Sequence, residues 1–201
     1  MDLKSLPPWN YEEWTTTEPK QTNSLKERLL LGSLDLIKAE PDNEEACREI
    51  VEQALEAGLF DIAFEAVRTF SKKSRYDFFA SITDIFEEMS YWKHCSGEFV
   101  DYCEQRVLQL SVGDDYYDQR ARSRSLGYLG RYRFFTGRAE SAISLWDSAD
   151  DRETVDEVIA EMCETIAERS PQYLEASLAL IDLIKINTIK AKTMATLSQY
   201  A

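Results

Sequence analysis

The sequence predicts an all-α fold, and three observations carry that expectation. No proline occurs between Pro41 and Pro171, so only glycines and capping residues interrupt helix over that stretch. Strand signals are missing, with no period-2 alternation and no Asn-Gly or Asp-Gly turn. Gly58, Gly97 and Gly137 stand at nearly equal intervals, and the phrase that follows Gly58 recurs after Gly137 with Ala63 on Ala142. A longer shift, close to three such intervals, also lays Ala63, Ala66 and Val67 on Ala176, Ala179 and Leu180. A fixed period of this size marks stacked helical units rather than one centred core.

The elements follow in order. Residues 1–22 form an extended N-terminal arm, with Pro7, Pro8, Pro19 and a run of threonines at 15–17. Trp9, Tyr11 and Trp14 lie in it, and such rings either pack on the first helix pair as a cap or dock a partner. From 23 to 201 the chain reads as a single helical-repeat domain. Its segments are 24–39, 43–57, 59–72, 75–94, 97–111, 115–136, 138–148, 151–168, 171–184 and 187–199. Ser24-x-x-Glu27, Asp42-x-x-Glu45 and Ser74-x-x-Asp77 read as helix starts, and Ser170-Pro171 sets a cap before a proline at the first helical position. Each segment carries one apolar stripe, for example Phe78, Phe79, Ile82, Ile85, Phe86 and Met89. Short connections favour antiparallel neighbours, giving an α-solenoid of four to five helix pairs or a bundle with the same local pairing.

Composition excludes several functions. The chain of 201 residues carries 37 acidic and 23 basic side chains, a net charge of −14. That balance argues against direct nucleic-acid binding, where phosphate neutralisation needs clustered Lys and Arg. No apolar run reaches the length of a membrane span, and the first residues lack the order of a signal peptide, so a cytoplasmic protein without membrane insertion is expected. The cysteines, Cys47, Cys95, Cys103 and Cys163, form no CxxC pair and read as buried small hydrophobes. His94, Cys95 and Cys103 have no metal-site spacing, so neither metal nor cofactor is expected. With one histidine, no GxSxG, no HExxH and no glycine-rich loop after a strand, nothing asks for an enzyme.

Residues 126–149 carry the strongest local motif. Leu126, Leu129, Gly130, Gly137, Ala142, Trp146 and Ala149 fall at spacings that resemble the tetratricopeptide (TPR) repeat. Arg133 departs from that pattern, standing where the family prefers tyrosine, and the period of roughly 40 exceeds the family's 34. The resemblance covers residues 43–200, is specific in this unit and generic elsewhere. It implies that Gly130 and Ala142 let paired helices approach, and that Gly137 turns the chain.

It further implies a concave groove lined by the first helix of each pair. Matched residue by residue, the groove takes Glu45, Arg48 and Glu52 from one unit. The next gives Asp84, Glu87, Tyr91 and His94, and the third gives Arg124, Arg131, Phe134 and Phe135. Arg120, Arg124 and Arg131 lie within roughly 40° on a helical wheel, and guanidinium forks grip carboxylates. The expected function is a non-enzymatic adaptor binding a protein or peptide partner, with Arg48, Tyr91, His94, Arg120, Arg124, Arg131, Phe134 and Phe135 as partner-binding residues and an acidic segment as the ligand. The same arginines could instead pair internally, Arg120 and Arg122 with Asp114, Asp115 or Asp118. The alternative function is an acidic charge mimic that blocks a basic site on a target. The sequence leaves the partner's identity and the oligomeric state open.

Overall fold

The computed structural model describes residues 3, 9, 11–14, 24–39, 43–70 and 75–200. Among them the fold is all-α, with ten α-helices, three 3-10 turns and no strand. The helices are α1 (Ser24–Ala39), α2 (Glu44–Glu56), α3 (Phe60–Thr69), α4 (Tyr76–Glu87), α5 (Gly97–Gln109), α6 (Tyr116–Phe135), α7 (Ala139–Asp147), α8 (Arg152–Arg169), α9 (Leu174–Ile181) and α10 (Asn187–Leu197). The 3-10 turns are Tyr11–Trp14, Met89–His94 and Pro171–Tyr173. The chain divides into two compact units, Thr15–Ala121 and a second made of Met1–Trp14 with Arg122–Ala201.

The starts of α2, α5 and α8 are set by side chains that accept otherwise orphaned first-turn amides. Asn43 caps α2 by accepting from the Ala46 amide at 3.2 Å. Ser96 accepts from Phe99 at 3.2 Å ahead of α5, and Asp151 from Glu153 at 3.1 Å ahead of α8. The Asp42 and Ser74 caps expected from sequence, and the side chain of Ser24, lie outside the described residues. Ser170 precedes Pro171 as expected, but its side chain makes no cap hydrogen bond and the turn it opens is 3-10 before α9 begins.

The turns after α2 and α6 share one geometry. Gly58 donates to the Leu55 carbonyl at 3.0 Å and Leu59 to Ala54 at 2.8 Å; Gly137 donates to Phe134 at 3.0 Å and Arg138 to Arg133 at 2.7 Å. Both glycines hold left-handed backbone, φ 71° and 82°, which closes the helix end with paired return bonds. Gly97 is the first residue of α5, as the segment 97–111 predicts, with Ser96 as its cap, and it makes no such turn.

In the unit Thr15–Ala121, α1 packs on α2 and α3, and α2 packs on α3 and α4. Its core holds Cys47, Ile50, Val51 and Ala54 of α2 with Phe78, Phe79, Ile82, Ile85 and Phe86 of α4, all buried. Phe64 of α3 stacks on Phe99 of α5 with ring centres 4.2 Å apart.

In the other unit α8 packs against α9 and α10, and its Val155, Ile159, Met162 and Ile166 are buried. The Ser177 hydroxyl donates to the Cys163 carbonyl at 3.1 Å, while the Cys163 thiol reaches the Ser177 carbonyl at 3.5 Å, fixing the α8–α9 register. Leu126, Leu129 and Ala142 are fully buried and Trp146 nearly so. The close approach at Gly130 is to the Trp146 indole and not to Ala142.

Trp9 packs on the end of α6 and the turn Pro171–Tyr173, where the sequence expected a cap on the first helix pair. Its ring lies 5.7 Å from Phe135, 6.2 Å from Phe134 and 4.8 Å from Tyr173, and its amide donates to the Phe135 carbonyl at 3.0 Å. Trp14 meets the same Phe135 ring at 5.4 Å.

Candidate functional site

A pocket of about 550 Å³ opens in the unit Thr15–Ala121. Its lining comes from Arg48, Glu52, Leu55 and Glu56 on α2, Asp84 and Glu87 on α4, and Glu88 and Tyr91 beyond it. Positions 48, 52, 55 and 56 share one helix face because they recur at spacings of three and four. Leu55 is buried with Ile50, Val51 and Ala54 and floors the pocket, while Arg48, Glu52 and Glu56 stand out beside it.

The far wall depends on how α4 ends. Glu88 takes an extended backbone, φ −89° and ψ 104°, and its carboxylate accepts from the Ser90 amide at 3.0 Å. This caps the 3-10 turn Met89–His94, which Trp92 anchors by donating to the Phe86 carbonyl at 3.0 Å. With the turn pinned beneath, Tyr91 faces the pocket, its ring 5.3 Å from Phe60.

Five carboxylates and one guanidinium line this space. Arg48 donates through Nε to Glu52 at 2.8 Å and lies 3.6 Å from Asp77. Burial works against its charge, but the Glu52 hydrogen bond and the fields of Glu52, Asp84 and Asp77 outweigh it and raise its pKa. Burial, then Glu88, Glu56 and Asp84, raise the Tyr91 phenol, so it keeps its proton and remains a donor. The pocket therefore has a field of negative sign.

Of the eight residues nominated from sequence, this pocket holds Arg48 and Tyr91, with Glu52, Asp84 and Glu87 from the wider groove. His94 lies outside it on the same turn, stacked on Phe60 at 3.9 Å and 11°. Burial and then Lys93 lower the His94 pKa, with Asp61 opposing. Arg120 is exposed on α6. Arg124 is exposed with its guanidinium 5.7 Å from the Tyr128 ring. Arg131 is buried, 5.8 Å from the same ring and 4.0 Å from Glu161, which also accepts from the Tyr128 hydroxyl at 3.1 Å. Phe134 and Phe135 are buried among Trp9, Trp14 and Trp146. Arg131, Phe134 and Phe135 thus spend their side chains on internal packing. Arg122 pairs with Asp150 at 2.5 Å and with the Ser148 carbonyl at 3.2 Å, while Asp118 lies 3.7 Å from Arg75. Leu55, Glu56 and Glu88 were not nominated for the groove, although Leu55 and Glu56 follow Glu52 by one turn on the same face.

Among the described residues no group of three or more His, Cys, Asp or Glu side chains is placed to hold a metal ion, and no helix is long and apolar enough to cross a membrane. All four cysteines are free thiols. Burial pushes Cys95 and Cys163 up to about 12, and Cys103 well above its usual value. Since the thiolate is the reactive form, iodoacetamide at pH 8 should leave these three unlabelled in the native protein and label them after denaturation, as read by mass spectrometry. Rapid native labelling of Cys103 or Cys163 would contradict the packing of α5 and α8.

No family model, no curated protein and no solved structure matches the chain.

Proposed function

We propose that the protein is a non-enzymatic, cytoplasmic interaction module built of TPR-like helix pairs in a solenoid, and that it receives a basic peptide segment in the pocket of α2 and α4. The observation that carries this reading is the lining, where five carboxylates face one guanidinium already engaged by Glu52. An acidic segment, the ligand suggested by the arginines alone, would meet repulsion here. A lysine or arginine side chain would lay its methylenes on Leu55, its cation near the Tyr91 ring and its charge among the carboxylates. The matching turns at Gly58 and Gly137 support the repeat reading.

The net charge of −14 favours a second reading, an acidic charge mimic directed at a basic site. Both want a basic partner, and they differ in where the energy lies. Titration with labelled short peptides separates them. A Lys/Arg-rich peptide should bind and an Asp/Glu-rich one should not. Tyr91→Ala combined with Glu56→Gln should weaken binding about 10-fold, while Glu98→Gln with Glu168→Gln outside the pocket should change it less than about 2-fold. A charge mimic would respond more to the second pair, which removes two charges where the first removes one, and would lose affinity steeply with salt. Preference for the acidic peptide would overturn both readings.

A further inference from the structure

Helix α1 carries leucines on two opposite faces. Leu30, Leu34 and Ile37 are buried against α2 and α3. Leu25, Leu29 and Leu36 are 60%, 63% and 74% exposed. With Gly32 these exposed residues fall within roughly 60° of arc on the outward side. Single exposed leucines need no explanation, but three aligned along a helix mark an interaction surface.

Their spacing identifies the kind of surface. Positions 25, 29, 32 and 36 follow intervals of four, three and four, the seam pattern of paired helices. A Cβ at Gly32 would meet nothing within 4 Å, so the middle of the stripe is open to an approaching side chain. Arg28 and Asp35, both exposed, flank the stripe on the same side, one heptad apart.

We propose that α1 is a self-association surface on which two copies of this chain pair antiparallel about a two-fold axis. In that arrangement Leu25 packs on the partner's Leu36, and Leu29 enters the space over the partner's Gly32. Arg28 faces the partner's Asp35 while Asp35 faces the partner's Arg28. The flanking charges choose this geometry, because equivalent flanks meet in antiparallel pairs. Parallel pairing would set Arg28 beside Ser33 and leave the charges unmatched. An isologous contact of this kind closes at two subunits. One helix pair covers less than the ~1,200 Å² of a standard interface, so dissociation on the order of micromolar is expected.

Sedimentation equilibrium on the full chain tests the proposal, with circular dichroism as the check on folding. The parent protein should dimerise reversibly, and Leu29→Glu, at an exposed position, should be a folded monomer. Arg28→Asp and Asp35→Arg alone should each weaken dimerisation at least about 10-fold, because each sets like charges opposite one another. Mixed in equal amounts they should recover a heterodimer of parental strength. The two substituted side chains then meet as opposite charges, and so do the two unsubstituted ones. A parent protein that stays monomeric at roughly 100 µM, a hundredfold above the expected constant, a Leu29→Glu dimer, or a mixture that remains monomeric would each overturn the proposal. The last result would point to parallel pairing or to a different partner for the stripe.

Discussion

Trp146→Ala is expected to remove about 3–5 kcal/mol of stability, the cost of a cavity the size of a large buried aromatic. The indole is 2% exposed and donates to the Gly127 carbonyl at 3.1 Å, so its loss also removes a buried hydrogen bond between α7 and α6. Its partner is Gly130. A Cβ there would lie 2.7 Å and 2.8 Å from Cδ1 and Cε2 of Trp146 and closer still to Nε1. Gly130→Ala should therefore cost roughly 1–3 kcal/mol by overpacking, although an exposed helix glycine gains about 1 kcal/mol on the same change. The two effects must couple. In the Trp146→Ala background, adding Gly130→Ala should be neutral or stabilising, because the ring it strikes is gone. Gly97→Ala, where a Cβ meets nothing within 4 Å, is the control and should stay within about 0.5 kcal/mol of the parent. Additive losses in the urea-denaturation cycle would show that α6 and α7 do not meet in this register.

The coupling explains why this part of the fold was legible. Gly130 and Trp146 belong to one hairpin, and local spacing sets their meeting. The all-α class and most helix limits were readable for the same reason, since caps and the proline-free span act locally. α1 runs over 24–39, as the periodicity predicts. Gly97 shares the spacing of the turn glycines, yet it opens α5 as the segment 97–111 predicts, because Ser96 before it caps the helix. Where no local signal marks a break, the sequence misleads. The segment 75–94 holds no glycine or proline, yet Glu88 breaks it by turning its carboxylate onto Ser90.

The site was legible to a similar depth. Helix register put Arg48 and Glu52 on one face of α2 and Asp84 and Glu87 on one face of α4, each away from its apolar stripe, whereas Tyr91 reaches the same pocket through the 3-10 turn that follows Glu88. The fate of Phe134 and Phe135 was not readable. Trp9 lies far upstream, near the start of the chain, and no local pattern says that it covers them. Arg131 looks like its neighbour Arg124 in the sequence, and both guanidinium groups lie over the Tyr128 ring, but Arg131 is buried there and Arg124 is exposed.

The second large effect was equally invisible. Asp156, on α8, is 0% exposed. One carboxylate oxygen accepts from the Lys185 and Ile186 amides, both at 2.8 Å, and the other accepts from Arg152 Nε at 2.7 Å. Ile186 precedes α10, whose first turn has no side-chain cap from its own sequence. Asp156 fills that role from another helix. The negative charge also suits the amide end of the helix dipole. Arg152 completes the clamp by donating to the Leu183 carbonyl at 2.6 Å. Removing one partner of a buried, hydrogen-bonded ion pair strands the other, so Asp156→Ala should cost about 3–5 kcal/mol. Asp156→Asn keeps an acceptor for the amides but not the charge for Arg152, and should cost less. Adding Arg152→Met to Asp156→Ala should recover part of the loss by removing the stranded cation. Hydrogen exchange localises the effect, because the Lys185 and Ile186 amides should lose protection before those of α8. If Asp156→Ala unfolds within about 1 kcal/mol of the parent and those two amides stay protected, the α9–α10 connection is held by its own packing and the carboxylate is dispensable.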